Sequence, residues 1–407
     1  MNKDILSLTF ARLIMAFGYS IAFPFLSIYL YEVRNLSMSL IGSILGISTI
    51  FGVVGRIVGG LLSDYFGSKN VLVISFFIRS FIFLSISIVI ALNLDYRLFI
   101  PILILNSLFF SINMSNLDTM VAQLSKEEDR NLAYSINRVG VNLGWSLGPA
   151  IGGIIAVKSF SLLFFISFLA TIFSGIILQL TIPNTNKTLK SFEFPIRDIL
   201  NNKQFLLFCL FSIGFFITMS QLISTLSVYA TSFVKISKNE LGILYAVNGL
   251  LVVFLQIPIS NYIEKIDEKK ALVIGTFFYF IGYLSIGFAN NFYHMLISII
   301  IITIAEMFAV PSSQTIASIL SDKNKLGSFI GFFGLFQGLG WAIGPIIGGF
   351  FMDIFKSNHI LMWLSISSFS LISSILFLYL FALSKKLFIL GDSNGRRTPP
   401  MPKNGHL

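Results

Sequence analysis

Apolar residues run along this chain in twelve blocks, each long enough to cross a hydrocarbon layer of about 30 Å, for which roughly 20 helical residues suffice. The predicted spans are residues 6–30, 40–62, 71–92, 98–122, 132–156, 160–182, 205–233, 240–262, 270–290, 294–320, 327–352 and 358–384. The first span is too long for a cleavable leader, lacks a small-residue cleavage site and runs directly into a second span. The expected fold class is therefore an all-α membrane protein with twelve transmembrane helices. Composition agrees: 55% of the residues are hydrophobic and 11% charged, with a mean hydropathy of +0.86. A soluble domain carries about 25% charged residues.

The blocks repeat. Gly144-Trp145-Ser146-Leu147-Gly148-Pro149-Ala150-Ile151-Gly152-Gly153 in span 5 returns as Gly340-Trp341-Ala342-Ile343-Gly344-Pro345-Ile346-Ile347-Gly348-Gly349 in span 11, at an offset of 196. Earlier in each half the offset is 200, pairing Leu26-Ser27-x-Tyr29 with Leu226-Ser227-x-Tyr229 and Leu72-Val73-Ile74 with Leu272-Val273-Ile274. Six crossings return the chain to its starting side, so the halves are parallel repeats. In water, Pro and paired Gly weaken a helix interior. In a bilayer they are tolerated and let backbones approach closely. The expected organisation is a six-helix bundle over 1–182, a polar basic linker over 183–204, a second bundle over 205–384 and a disordered tail over 385–407.

The net charge of +10 reads as topology. Eighteen Lys and Arg fall on the side that carries both ends of the chain, against six (Arg34, Arg97, Lys158, Lys235, Lys238, Lys356) on the other. By the positive-inside rule, both termini are expected in the cytoplasm of a multi-pass cell-membrane protein. A nucleic-acid partner is excluded by the same distribution. Cys209 is the single cysteine and the three His are scattered, so no intramolecular disulfide, metal cluster or haem site is expected. No Gly-x4-Gly-Lys-Ser/Thr loop is present to bind ATP, and no His-Glu-x2-His or Ser/His/Asp set suggests an enzyme. The expected partners are lipid, protons and a small-molecule substrate, with no cofactor beyond a proton gradient. A monomer is expected.

Between spans 2 and 3 stands Gly60-Leu61-Leu62-Ser63-Asp64-Tyr65-Phe66-Gly67-Ser68-Lys69, which resembles the Gly-x3-Asp-x2-Gly-basic loop of the major facilitator superfamily. Two six-helix halves related by an axis along the membrane normal are the architecture of that superfamily. Of the loop's basic cluster Lys69 alone remains, and the second-half counterpart, Ser260 to Lys270 with Glu264 at the Asp64 position, lacks both glycines. Arg56, Gly60 and Asp64 follow at i, i+4 and i+8 on one helix face. Gly60 there leaves room for another helix, and Asp64 suits the positive N-terminus of a facing one. The resemblance implies that helix 11 is that partner in the state closed to the cytoplasm. The Gly-x3-Gly-Pro-x2-Gly-Gly pattern of span 5 resembles the drug/proton antiporter branch. Span 11 shares its upstream Gly331, whereas span 5 has Ser135 there.

Charge inside a membrane is costly and marks function. Arg12, Arg56, Arg79 and Arg138 each lie some 4 to 8 residues from the cytoplasmic end of their predicted spans, about 10 Å deep. With Asp118 they are expected to form one inner layer near Asp64 that controls the gate. For Arg79, snorkelling to the interface is the competing reading. Glu306 lies near the midplane, roughly 18 Å from the outer end of its span. Desolvation there favours a protonated carboxyl near neutral pH. The run Thr303-Ile304-Ala305-Glu306-Met307, with Pro311 beyond, resembles a motif of proton-coupled exporters. Glu306 is thus the expected proton carrier, or the contact to a cationic substrate, against a purely structural hydrogen-bonded Glu. Tyr19, Asn113, Gln221, Ser224 and Tyr229 add polar groups at span depth. The leading function is proton-coupled efflux (antiport) of amphipathic, cationic or neutral small molecules. The competing readings are a symporter importing a peptide or sugar, suggested by Asn137-Arg138 and Asn142-x-Gly144, and a transport-inactive sensor or assembly partner.

Overall fold

The computed structural model describes residues 3–126, 130–183, 196–322 and 325–393, without the side chains of Asp64, 130–132 and 383–393. The central stretch of the expected linker (184–195), the Asp64 carboxyl and residues 394–407 of the expected tail lie outside the described residues. Among the described residues, twelve helices are long and apolar enough to span a membrane. They are α1 (Lys3–Val33), α2 (Met38–Phe66), α3 (Ser68–Ala91), α4 (Phe99–Leu124), α5 (Arg130–Ala156) and α6 (Phe160–Thr181) in the first half. The second half holds α7 (Lys203–Phe233), α8 (Lys238–Ile266), α9 (Glu268–Ile286), α10 (Phe292–Ile319), α11 (Leu326–Ile354) and α12 (His359–Ser393). The last helix thus runs beyond residue 384, because Lys385-Lys386-Leu387-Phe388-Ile389-Leu390 contains no breaker. A short helix, Ile196–Asn201, precedes α7. On it, Asp198 accepts a hydrogen bond from Lys325 Nζ, which holds that ammonium above its ordinary range.

Within the first half, α1 packs on α5 and α6, α3 on α6, and α2 on α4; in the second, α7 packs on α11 and α12 and α9 on α10 and α12. The halves meet along two seams, α2 against α11 and α5 against α8. Two helices are broken. Helix α1 bends at Ile21-Ala22, where Pro24 starts a new segment, and ends in a π turn over Tyr29–Val33. Helix α7 loosens to a 3₁₀ turn at Ser220–Leu222 and ends in a π turn over Tyr229–Phe233, the repeat-equivalent place. Proline removes a donor from the first break. In α7 side chains do the work: Gln221 Nε2 donates to the carbonyls of Ile217 and Gly344 at 2.9 and 2.8 Å.

The loop between α2 and α3 turns at Gly67 with φ 86°, and its counterpart turns at Asp267 with φ 84°. The missing glycine of the second half is therefore a change of residue and not of backbone. Asp267 Oδ1 accepts from Lys269 N at 2.8 Å, which caps α9 and offsets part of the strain.

The duplicated glycine motifs each face two ways. A methyl group added at Gly144 or Gly152 would lie 2.6 or 2.3 Å from backbone oxygens of α1, in the same half. One added at Gly153 would lie 2.4 Å from the Lys238 carbonyl, across the seam. In the second copy, Gly340 abuts Phe216 of α7, while Gly349 sits 2.1 Å, by the same measure, from the Met38 carbonyl of α2. The motif prolines are met by glycines of the other half: a methyl group added at Gly42 would lie 2.0 Å from the Pro345 carbonyl oxygen, and one added at Gly242 2.4 Å from that of Pro149. These contacts lie at the face opposite the termini. Toward the terminal face the halves part, and added methyls at Gly60 of α2 and at Gly331 of α11 would meet nothing within 4 Å.

Because the contacts at Gly42 and Gly242 join the two halves and not the helices of one bundle, Gly42→Leu and Gly242→Leu should open the closed face without unfolding either half. In a Cys209→Ser background carrying Ser224→Cys, thiol labelling from the face opposite the termini should rise severalfold, about the effect of 1 kcal/mol on the closed population. Unchanged labelling would show that the seam tolerates the added bulk.

Candidate functional site

The closed face is tied by charges as well as by close packing. Asp353, near the end of α11, accepts from Ser39 N at 2.7 Å, Met38 N at 3.3 Å and Ser39 Oγ at 2.6 Å. A carboxylate from the second half thereby occupies the positive N-terminus of α2 in the first. At the other seam, Glu32 of α1 accepts from Thr231 Oγ1 at 2.8 Å and Ser232 Oγ at 3.1 Å and pairs with Lys238 Nζ at 3.3 Å. The π turns that end α1 and α7 hold Glu32, Thr231 and Ser232. Asp353 follows Gly349 by one helical turn, the sequence signal that would have revealed the tie.

Behind this closure lies a central cavity of about 90 Å³, whose walls include Tyr19, Phe23, Asn106, Ser220, Ser224 and Trp341 from both halves. Nearer the terminal face, a cavity of about 560 Å³ is lined by Arg12, Asp118, Tyr134, Arg138, Val141 and Gln314, again from both halves. Arg12 and Asp118 form an ion pair at 2.9 Å, and the Tyr134 hydroxyl donates to the Asp118 carbonyl at 3.0 Å. Arg138 donates to Gln256 Oε1 of α8 at 3.2 Å across the seam.

Glu306 stands midway along α10, where Asn248 Nδ2 donates to its Oε2 at 3.4 Å and to Thr303 Oγ1 at 2.8 Å. Tyr279 and Tyr283 of α9 and Arg138 of α5 are within electrostatic range of the carboxylate. The acid is thus held by its own half and faces a cation of the other, without a direct ion pair between them.

The expected inner layer of charge divides. Arg12, Asp118 and Arg138 share one cavity. Arg56 is exposed on α2 and approaches Gly334 of α11. Arg79 belongs elsewhere: α3 begins at Ser68, so Arg79 lies at its middle, and its side chain is fully buried, with no path to the interface for snorkelling. Its guanidinium sits 5.3, 5.0 and 4.8 Å from the rings of Tyr19, Phe83 and Phe110. Asn113 is turned into the first half, where its Oδ1 accepts from Ser75 Oγ while its Nδ2 is buried without a partner. Gln221 is consumed inside the second, since Thr225 Oγ1 also donates to its Oε1 at 2.6 Å. Tyr229 is buried against His359 and Trp363. Tyr19 and Ser224 do line the central cavity. In the loop, Lys69 is buried and Gly67 supplies the turn.

Paired six-helix bundles, locked at one face and parted at the other around polar cavities on the shared seam, have the form of an alternating-access membrane transporter. The profile described as Major Facilitator Superfamily matches residues 8–235 and 222–403, and the chain belongs to that superfamily. Among its relatives, an "Uncharacterized MFS-type transporter YttB" of Bacillus subtilis is 26% identical over 83% of this chain and 85% of its own. The "Multidrug resistance protein MdtH" of Blochmanniella pennsylvanica is 24% identical over 89% of each chain. The crystal structure of the nucleoside transporter NupG superposes with a TM-score of 0.75 at 13% identity, over 93% of this chain and 99% of that one. A peptide transporter, POT, in complex with sulfate reaches 0.77 at 16% identity over 96% of each. At such identities these structures speak for the fold alone.

Hydrogen bonds to a charged group contribute about 1.5–3 kcal/mol, so Asp353→Ala should lower the population closed at this face by roughly tenfold or more. Spin labels at Val33 and Asn239 should read a longer distance across the seam in that variant. An unchanged distance distribution would mean that close packing alone holds the face shut.

Proposed function

We propose that the chain is a proton-coupled exporter of amphipathic small molecules, working as a monomer in the cell membrane with both termini in the cytoplasm. The observation that carries the reading is Glu306, a carboxyl at the middle of α10 that faces Arg138 across the seam. Ionised, it attracts the opposite half through Arg138; protonated, it no longer does. Proton binding and release thereby bias which face is open. Supporting it are the glycine-proline motif of α5, the relatives named for multidrug resistance and the basic residues gathered on the terminal side. That side holds the larger cavity and would receive the substrate.

In the opposite state the terminal face closes. Gly60 and Gly331, which stand open here, are then the contact points of α2 and α11. Asp64 is the residue proposed to meet the N-terminus of α11, with Arg56 and Lys69 beside it. The Arg12–Asp118 pair and Arg138, all of the first half, would then meet Gln314 of the second as the larger cavity collapses.

In proteoliposomes with an imposed pH gradient, the wild-type protein should move a cationic or neutral dye against the proton flow. Glu306→Gln should abolish the pH-driven component while leaving the protein folded and monodisperse. Coupling that survives this substitution removes Glu306 from the mechanism. Co-movement of solute and protons would identify an importer, and no flux with any compound a sensor.

A further inference from the structure

Arg79 is the one charged side chain among the described residues that is fully buried, and the proposed proton mechanism does not use it. Its Nε donates to Asn106 Oδ1 at 3.3 Å. Nη1 and Nη2 are shut off from the surface and have no hydrogen-bond partner. Among the described residues no carboxylate forms an ion pair with it, and Tyr19 is the titratable group in its electrostatic range. Three aromatic faces stabilise the cation but accept none of its N–H hydrogens in the plane of the fork. A buried guanidinium left in this condition is costly unless something completes it.

Two of the groups that touch Arg79, Tyr19 and Asn106, are also walls of the central cavity. The guanidinium therefore stands directly behind that wall, with the fork of two N–H groups uncommitted. On the other walls, Ser48, Thr49 and Ser224 offer hydroxyls, and Phe23 and Trp341 offer apolar rings. We propose that Arg79 is the anion-binding residue of the central cavity and that the transported molecule is an amphipathic organic acid. Its carboxylate, sulfonate or similar oxyanion takes Nη1 and Nη2 in the two-point geometry that arginine favours, while its apolar body lies against Phe23 and Trp341. Access requires Asn106 to swing aside, so Asn106 acts as the shutter of the subsite. The proposal rests on the transporter reading and replaces a cationic or neutral cargo with an anionic one.

The test uses three probes with one ring system and three charges: naphthalene-2-sulfonate, naphthalene-2-sulfonamide and 2-naphthylmethylammonium. Binding to the full-length protein in nanodiscs is read by calorimetry and by quenching of tryptophan fluorescence. Naphthalene-2-sulfonate should bind about tenfold or more tightly than the other two, the range of a charge-assisted two-point contact. Arg79→Gln should erase the preference, and Arg79→Lys should keep part of it. Arg79→Met, which removes a buried charge without a cavity, should melt no lower than the wild type. Equal affinity for all three probes, no binding of the sulfonate, or a preference that persists in Arg79→Gln would overturn the assignment. So would loss of folding in every Arg79 variant, which would make the guanidinium a structural post.

Flux in proteoliposomes separates this proposal from the exporter reading. If a pH gradient drives the ammonium through the wild type but not Glu306→Gln, and the sulfonate does not bind, export stands and the Arg79 assignment falls. If the sulfonate binds in an Arg79-dependent way but no pH gradient moves any probe, the subsite stands and proton coupling falls.

Discussion

Everything at the seam depends on how closely two backbones can approach. Gly42 against the Pro345 carbonyl and Gly242 against the Pro149 carbonyl bring main chains of opposite halves into contact with no side chain between them. Lipid gives helices little hydrophobic reason to associate, so van der Waals contact and polar ties must hold the closed face. Contact of that kind is short-ranged: a separation of an ångström forfeits much of it. The closed face is consequently a state that is either made or lost, as alternation between two forms requires. Asp353 at the N-terminus of α2 and Glu32 against Thr231, Ser232 and Lys238 add directional bonds at the same face.

Much of this architecture is legible in the chain. Twelve apolar runs give the helices, and the doubled motif around Pro149 and Pro345 gives the repeat, because both are patterns local in sequence. The break in α1 carries a local mark, Pro24, but the break in α7 carries none. The α7 break is supported by Gln221 donating to Gly344, and that partner is 123 residues away. Gln221 and Asn113 read as cavity residues because polarity at membrane depth is visible in sequence, whereas its consumption by a distant partner is not. Arg79 lies deeper than its expected depth because the apolar run begins at residue 71 and the helix at Ser68. The second-half loop reads as degraded where Asp267 in fact keeps the glycine backbone.

Charge is distributed in layers with different physics. At the terminal face, Arg12 and Asp118 pair on the edge of a wide cavity, where water moderates the attraction. At the opposite face, carboxylates are satisfied by backbone and hydroxyl donors of the other half. Between them stand two groups at mid-depth, Arg79 and Glu306, whose needs the chain itself meets only in part. Low dielectric makes those two the most sensitive to whatever enters the seam.

The two mid-depth groups also occupy twin places. Tyr279 and Tyr283, which face Glu306, are the repeat counterparts of Arg79 and Phe83 at the offset of 200, and Glu306 itself corresponds at 196 to Phe110, which stacks on Arg79. Two identical halves would carry the same side chain in both niches. Because the two copies in this chain differ, one niche holds a cation and the other an acid, an asymmetry that a self-paired half of one sequence could not show.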